Sequence, residues 1–277
     1  ENWAAVIVDD GSTDDTAALV AGCRDPRLCL VRQDNAGVSA ARNRGVVELP
    51  AGDALLFLDA DDWLAPDALA RLVQALDASP TAVAAAGPCA FMSGDADSGD
   101  RPHRIKRPSA GDLFPILLER NVFANGGHLL IRSTAADRAG RFRTDLTFGE
   151  DWEYWTRLAA LGTIAAVGGR PVLFVRERRD GAYLRQALDP GSFLCCIAAI
   201  FENPTIIQRY GRERAQQLRS RALAETMWVF GRALVRQGHH RSGLHALRGS
   251  VARKPSVKRL GLLTVAHLRE FCRLPQA

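Results

Sequence analysis

Ala4-Ala5-Val6-Ile7-Val8-Asp9-Asp10-Gly11-Ser12 is the stretch on which the fold turns: five apolar residues, two carboxylates and a turn. A short run of this kind reads as a buried strand. Ser12, with Asp15 three positions on, resembles a capping box and predicts a helix start there. Strand, polar turn and helix make the first half of a βαβ unit, and the pattern recurs. Leu28 to Arg32 reads as a second strand, and Val38 to Glu48 as a helix after a loop containing Gly37. Ala54 to Leu58 follows as an apolar strand that runs into Asp59-Ala60-Asp61-Asp62. A helix beginning near Pro66 carries Leu69, Leu72, Val73 and Leu76 on one face before Thr81 to Ala86 returns to the sheet. Alternation at this spacing predicts an α/β fold, Rossmann-like, with a mostly parallel sheet flanked by helices.

Residues 93 to 112 are rich in Gly, Ser, Asp and Pro and form a loop too long for a simple connection, which places them at the edge of a site. Leu113 to Leu118 and Trp152 to Leu161 read as helices. His128 to Ile131, Ile164 to Val167 and Val172 to Arg176 read as strands. The α/β part is expected over residues 1–187, and a basic helical extension over 188–277, with breaks at Pro204, Gly238 and Pro255.

A chain of 277 residues, 47% of them hydrophobic, can bury one large α/β core and carry an appendage. Its richest apolar run, Phe193 to Phe201, stops at Glu202 and Asn203, short of the roughly 18–20 residues that span a bilayer. The start at Glu1 has neither a charged and apolar leader nor an initiator methionine, so the expectation is a piece of a longer chain without a signal peptide. The six cysteines show no C-x-x-C pair and no spacing shared with histidines, which points to free thiols in a reducing compartment. A cytoplasmic protein, at most peripheral at the inner face of the membrane, is expected.

Two apolar strands therefore end in acids: Asp9-Asp10, and Asp59 with Asp61 and Asp62. At the carboxyl edge of a parallel sheet they share the place where open α/β folds bind ligands. Five acids there repel one another, and the fitting counter-charge is a hard divalent cation, Mn²⁺ or Mg²⁺, which shares its oxygen ligands with substrate phosphates. Gly149-Glu150-Asp151-Trp152 is a third acidic signal, at the start of a helix. Each signal alone has a plainer reading, since Asp-Asp-Gly-Ser also makes a turn with a helix cap, and acids in a first turn suit the helix dipole.

Taken together, four motifs in order resemble the family-two glycosyltransferases of GT-A fold. They are Val6 to Asp14, Asn35 to Gly45 with its Ala41-Arg42-Asn43 core, Phe57 to Trp63, and Gly149 to Glu153. The resemblance covers about residues 1–180. It implies an inverting, metal-dependent transfer of a sugar from a nucleotide-diphosphate sugar, commonly a UDP-sugar, to an acceptor hydroxyl in cell-surface glycan synthesis. Asp10, with Asp9 beside it, would hold the nucleotide base, and Arg42 would line the nucleotide pocket. Asp61 would hold the Mn²⁺ or Mg²⁺ on the diphosphate, with Asp59 towards the ribose and also a metal-ligand candidate. Asp151 would be the general base and Glu150 its partner. His128 and Arg176 are candidate substrate contacts, each with a structural alternative: a histidine at a strand start, and an arginine in a surface ion pair. The family opens with a further strand and helix that this sequence lacks before Glu1.

The alternative reading is a catalytically inactive module that binds the nucleotide sugar, against which the presence of Asp151 argues. The expected partners are the donor and a glycan, lipid-linked or protein acceptor, with no nucleic acid. From Thr205 onward 15 Arg and Lys meet three acids, a net +12 that leaves −7 for residues 1–204. Helices over 205–277, bearing Leu260, Leu263, Leu268 and Phe271 among basic residues, can lie on an anionic membrane or pack on the acidic front.

Overall fold

The computed structural model describes residues 3–93, 101–177 and 190–271. β1 (Ala5–Asp10) and β2 (Leu28–Gln33) pair in parallel, with Ala5 opposite Leu28 and Asp10 opposite Gln33. Helices α1 (Thr16–Gly22) and α2 (Val38–Glu48) lie against this pair. The capping box expected at Ser12 does not form. Ser12 turns its backbone N–H back onto Asp9 Oδ1 at 2.8 Å, and α1 begins four residues later.

The second sheet has the order β3 (Ala54–Leu55), β8 (Leu129–Arg132), β5 (Ala82–Ala86), β9 (Thr163–Ala166). The third has the order β4 (Trp63–Leu64), β10 (Leu173–Arg176), β6 (Cys89–Met92), β7 (Arg104–Lys106). β5 with β9 and β6 with β10 run in parallel, whereas β8 runs antiparallel to both its neighbours, and so do the edge strands β4 and β7 to theirs. The sheets are thus mixed rather than mostly parallel.

The expected strand Ala54 to Leu58 forms only a two-residue ladder, for a local reason. The 3₁₀ turn Gly126–His128 that leads into β8 passes directly over Phe57, where a Cβ on Gly126 would lie 2.8 Å from the Phe57 carbonyl oxygen. Backbone packed that closely has no room for a continuing ladder. The chain from Leu56 therefore runs freely into the acidic turn. In the long loop, 94–100 lie outside the described residues. Its remainder supplies β7 and a bridge from Gly111 to Ile164.

α3 (Ala68–Asp77) buries Leu72 and Leu76 against one face of the β5–β8 region. α4 (Phe114–Leu117), α5 (Ser133–Ala139) and α6 (Glu150–Leu161) close the other side. α6 inserts Trp152, Tyr154, Trp155 and Leu158 into the core, and Tyr154 stacks on Phe142 at 4.0 Å between ring centres. Each fully buried large side chain of this kind stabilises by about 1.5–3 kcal/mol.

Four helices follow: α7 (Pro190–Phe201), α8 (Pro204–Arg236), α9 (His240–Arg253) and α10 (Val257–Phe271). α8 departs from helical geometry at Gly211. The apolar core is continuous from Leu55 through Trp155 to Phe193, Ile200, Leu218 and Phe230, so α7 and α8 share a core with the α/β layers. Ion pairs reinforce the join: Glu119 accepts from Arg221 at 3.0 Å and Lys254 at 3.1 Å, Arg143 reaches Glu202, and Arg209 meets Asp112. Arg209, Arg221 and Lys254 of the basic excess thus meet acids of the α/β half, while Leu260 stays half-exposed and the side chains of Leu268 and Phe271 lie outside the described residues.

α7 also fixes the entry to α6. Gly149 sits at φ 73°, and its carbonyl accepts from the buried Cys196 Sγ at 3.3 Å. A Cβ on Gly149 would lie 2.5 Å from that sulfur. Gly149→Ala is expected to cost about 2–4 kcal/mol, combining backbone strain with overpacking, and to lower Tm by several degrees in thermal unfolding.

Candidate active site

β1 delivers Asp9 and Asp10 side by side, and their surroundings differ. Asp9 is 2% exposed; its Oδ1 accepts from the Ser12 amide and its Oδ2 from Arg32 Nε at 3.0 Å. These bonds, Ser12 first, hold its carboxyl below the usual carboxylate range. Asp9 therefore locks the turn. Asp10 accepts from Gln33 Nε2 at 2.7 Å and from the amides of Ala36 and Gly37, both at 2.9 Å. It ties the end of β1 to the residues that open α2.

The second turn of α2 carries Arg42, the centre of the arrangement. Its Nη2 donates to Asp59 Oδ1 at 2.9 Å and its Nη1 to Glu150 Oε1 at 3.0 Å. The side chain is 13% exposed and lies 5.3 Å from the centre of the Phe142 ring. Burial disfavours its charge, and Asp59, Glu150 and Asp151 outweigh that and raise its pKa. Asn43 fixes Phe142 by a reciprocal pair of bonds, Nδ2 to the Phe142 carbonyl and the Phe142 amide to Oδ1, both 2.8 Å. One motif thus sets both the guanidinium and the ring beneath it.

Asp59 and Asp61, both partly exposed, stand in the turn after β3. Asp62 braces this turn instead: it accepts from the Arg176 amide at 2.9 Å and from Asn125 Nδ2. Burial pushes Asp62 up to about 6 against those two bonds. Arg176 thus adjoins the acidic turn through its main chain, with its side chain partly buried.

Glu150 and Asp151 form the first turn of α6. Asp151 accepts from the Trp152 amide through Oδ1 at 2.6 Å and from Asn121 Nδ2 through Oδ2 at 3.3 Å. Burial, then the Glu150 charge, push it up to about 6, with Arg42 opposing. Such a value suits a group that gains and loses a proton near neutrality. Lys106, whose Nζ donates to the Phe123 carbonyl at 3.0 Å, lies within electrostatic reach of Asp151; burial lowers its pKa. Lys106 and Asn121 carry no motif that sequence reading could seize on, since their roles arise from packing; Asn43 lies inside the Ala41-Arg42-Asn43 motif, but its hold on Phe142 is not readable there.

His128 is 1% exposed. Its Nδ1 bonds the Gly87 carbonyl at 2.8 Å, its Nε2 accepts from the Ala124 amide, and burial lowers it to about 4. Both ring nitrogens are thus engaged by backbone in this arrangement, and the ring is buried. The described residues hold no cage of three or more His, Cys, Asp or Glu side chains. Asp59 and Asp61 fit a different demand, that of a hard cation that takes one or two carboxylates and completes its shell with phosphate oxygens and water.

Residues 1–138 match the sequence profile of glycosyl transferase family 2. Succinoglycan biosynthesis protein ExoO of Rhizobium meliloti is 28% identical over 96% of this chain and 78% of its own length. Glycosyltransferase GlyA of Streptococcus pneumoniae is 39% identical over 24% of the chain, which corresponds to 10% of that larger protein. Among solved structures, S. aureus TarS 1–349 in complex with UDP superposes with a TM-score of 0.62 at 16% identity, covering 96% of this chain and 78% of that one. The mannosyltransferase PcManGT of Pyrobaculum calidifontis, in complex with GDP-Man and Mn²⁺, gives 0.56 at 20% identity over 96% and 70%. The fold is GT-A with a helical C-terminal region.

Proposed function

Residues 1–138 belong to glycosyl transferase family 2, and from that premise we propose that this chain is an inverting transferase that moves a sugar from a UDP-sugar to an acceptor hydroxyl. The observation that carries the reading is the Arg42 fork, which joins Asp59 of the D-x-D turn to Glu150 of the acidic pair, a residue 108 positions from Arg42 in sequence. Donor-side and acceptor-side acids thereby meet at one guanidinium. The UDP complex of TarS supports the donor, and the name of ExoO supports a role in polysaccharide synthesis.

Asp61, with Asp59, would hold a divalent cation, which supplies neutralisation of the charge that collects on the departing diphosphate. Asp59 would face the ribose, and Asp10, which ties down the 36–37 amides, would hold the nucleotide base. Asp151 takes the proton of the acceptor hydroxyl as its oxygen forms a bond to the anomeric carbon and the bond to the diphosphate breaks. Attack from the face opposite the leaving group inverts that centre, through an oxocarbenium-like transition state. Glu150 is held by Arg42 at 3.0 Å beside Asp151, the acid raised by burial and by the Glu150 charge.

Asp61→Ala is expected to abolish the Mn²⁺-dependent part of UDP affinity in calorimetry. Unchanged Mn²⁺-dependent affinity would overturn the donor site. Product formation from a panel of UDP-sugars separates a transferase from an inactive binding module: a chain that binds UDP and forms no product with any acceptor glycan is the latter.

A further inference from the structure

Between Thr226 and Arg269 the chain contains no Asp or Glu, while it holds nine Arg and Lys and four His. Two of the nine are consumed internally: Lys254 binds Glu119 and Glu225, and Arg259, 5% exposed, binds Glu225 at 2.7 Å. Arg236, Arg241, Arg248, Arg253 and Lys258 are exposed, and Arg232 is partly so.

Into this acid-free surface α10 sets an unusual face. Its inner side is ordinary: Ala266 is buried, and Leu262 and Leu263 pack on the Trp228, Leu244 and Leu247 cluster. Its outer side is apolar too. Val257 is 89% exposed, Leu260 49% and Val265 45%, with Gly261 between them and Lys258 at the margin. At 100° per residue, positions 257, 260, 261, 264 and 265 fall on one side of the helix. A helix that is apolar on both faces is normally covered on both. Beside it, a shallow groove lined by Trp228, Arg232, Val257, Lys258, Leu262 and Val265 continues the patch onto α8.

We propose that the outer face of α10 is a peripheral docking surface for an anionic phospholipid bilayer. The aliphatic residues enter the boundary between headgroups and acyl chains, and the acid-free basic surface meets the lipid phosphates. Charge complementarity selects this occupant, because Arg232 of α8 and Lys258 of α10 line the groove beside the exposed aliphatic residues, and the chain from Thr226 to Arg269 adds no acid to that surface. Each Lys or Arg near such a surface contributes about 1 kcal/mol, so the exposed set suffices for reversible attachment. The exposed residues at the centre are aliphatic, which suits acyl chains, whereas single-stranded nucleic acid asks for stacking aromatics. No helix among the described residues is long and apolar enough to cross a membrane, so the contact lies in the interface plane. The proposal is independent of the transfer reaction.

The test is co-sedimentation of the full chain with phosphatidylcholine vesicles, with and without phosphatidylserine. The expected result is binding only where phosphatidylserine is present, weakening steeply with added salt. Lys258→Glu with Arg232→Glu, and separately Val257→Asp with Leu260→Asp and Val265→Asp, are each expected to weaken binding at least about tenfold. Thermal unfolding and UDP affinity should match the parent, since Val257, Lys258, Leu260 and Val265 are exposed, Arg232 is partly so, and all five lie on α8 and α10, not on the elements that carry Arg42 and Asp151. Four results would overturn the proposal. They are no sedimentation at low salt, equal binding to both vesicle types, binding that survives the apolar substitutions, and a self-associated chain that those substitutions dissociate. Retention on duplex DNA that outlasts the apolar substitutions would assign the basic surface to nucleic acid instead.

Discussion

Asp151→Asn is expected to lower transfer by about 10²–10⁴-fold, the range for a lost general base, while UDP affinity stays at the parent value. The amide keeps an oxygen for the Trp152 amide, which bonds Asp151 Oδ1 at 2.6 Å, so the first turn of α6 is retained. The parent should show an acid limb near pH 6 in kcat/KM, because Asp151 is raised to about 6 and acts only when ionised. The variant should lack that limb. Stability should move the other way. A carboxyl whose folded pKa lies above its unfolded value of 3.8 costs the fold stability once pH exceeds that value, and the full cost is present above about 6. The variant should therefore gain on the order of 1 kcal/mol at neutral pH, a gain that vanishes below the unfolded pKa. A variant that keeps parent-like transfer would move the base to Glu150.

Arg42→Met should have the second largest effect, and on both stability and activity. It strips the counter-charge from two carboxylates at once: Glu150, 15% exposed, and Asp59, 34% exposed. Leaving a buried charge unpaired costs about 3–5 kcal/mol; solvent screening at Asp59 reduces the expectation here to about 2–3 kcal/mol. Thermal unfolding at neutral pH reads this loss directly. Arg42→Lys should restore little, since one ammonium cannot span both partners as the guanidinium fork does. Donor affinity and transfer should fall together, because both acids lose their placement. A variant with parent stability at neutral pH would show the fork to be dispensable.

The parts of this molecule legible in the sequence are those in which one local pattern settles one structure. α2 occupies Val38–Glu48, the expected span, because a glycine loop starts it and nothing nearby competes. β1 and β2 follow their apolar runs. The D-x-D turn, by contrast, was readable as acids, and its ladder was not, since the close passage of Gly126 over Phe57 is set by residues seventy positions away. Ser12 and Asp15 satisfy a capping pattern that loses to Asp9, whose buried carboxylate needs the same amide. His128 carries chemistry in its side chain, yet the Gly87 carbonyl and Ala124 amide take both nitrogens. Arg42 was legible as a pocket residue, while its bond to Glu150 was not, because local sequence holds no trace of a contact between α2 and α6.

Glu119 has a consequence for anyone exchanging parts between such enzymes. This single carboxylate, 22% exposed, is shared by Arg221 and Lys254, which approach from two different C-terminal helices. A chimera that grafts foreign helices onto this α/β half inherits Glu119 without either cation, and a foreign α/β half that receives these helices inherits Arg221 without that acid and Lys254 with Glu225 alone. The seam at which such proteins can be recombined therefore cannot be chosen from the linker alone. Glu119, Arg221 and Lys254 have to travel as a set.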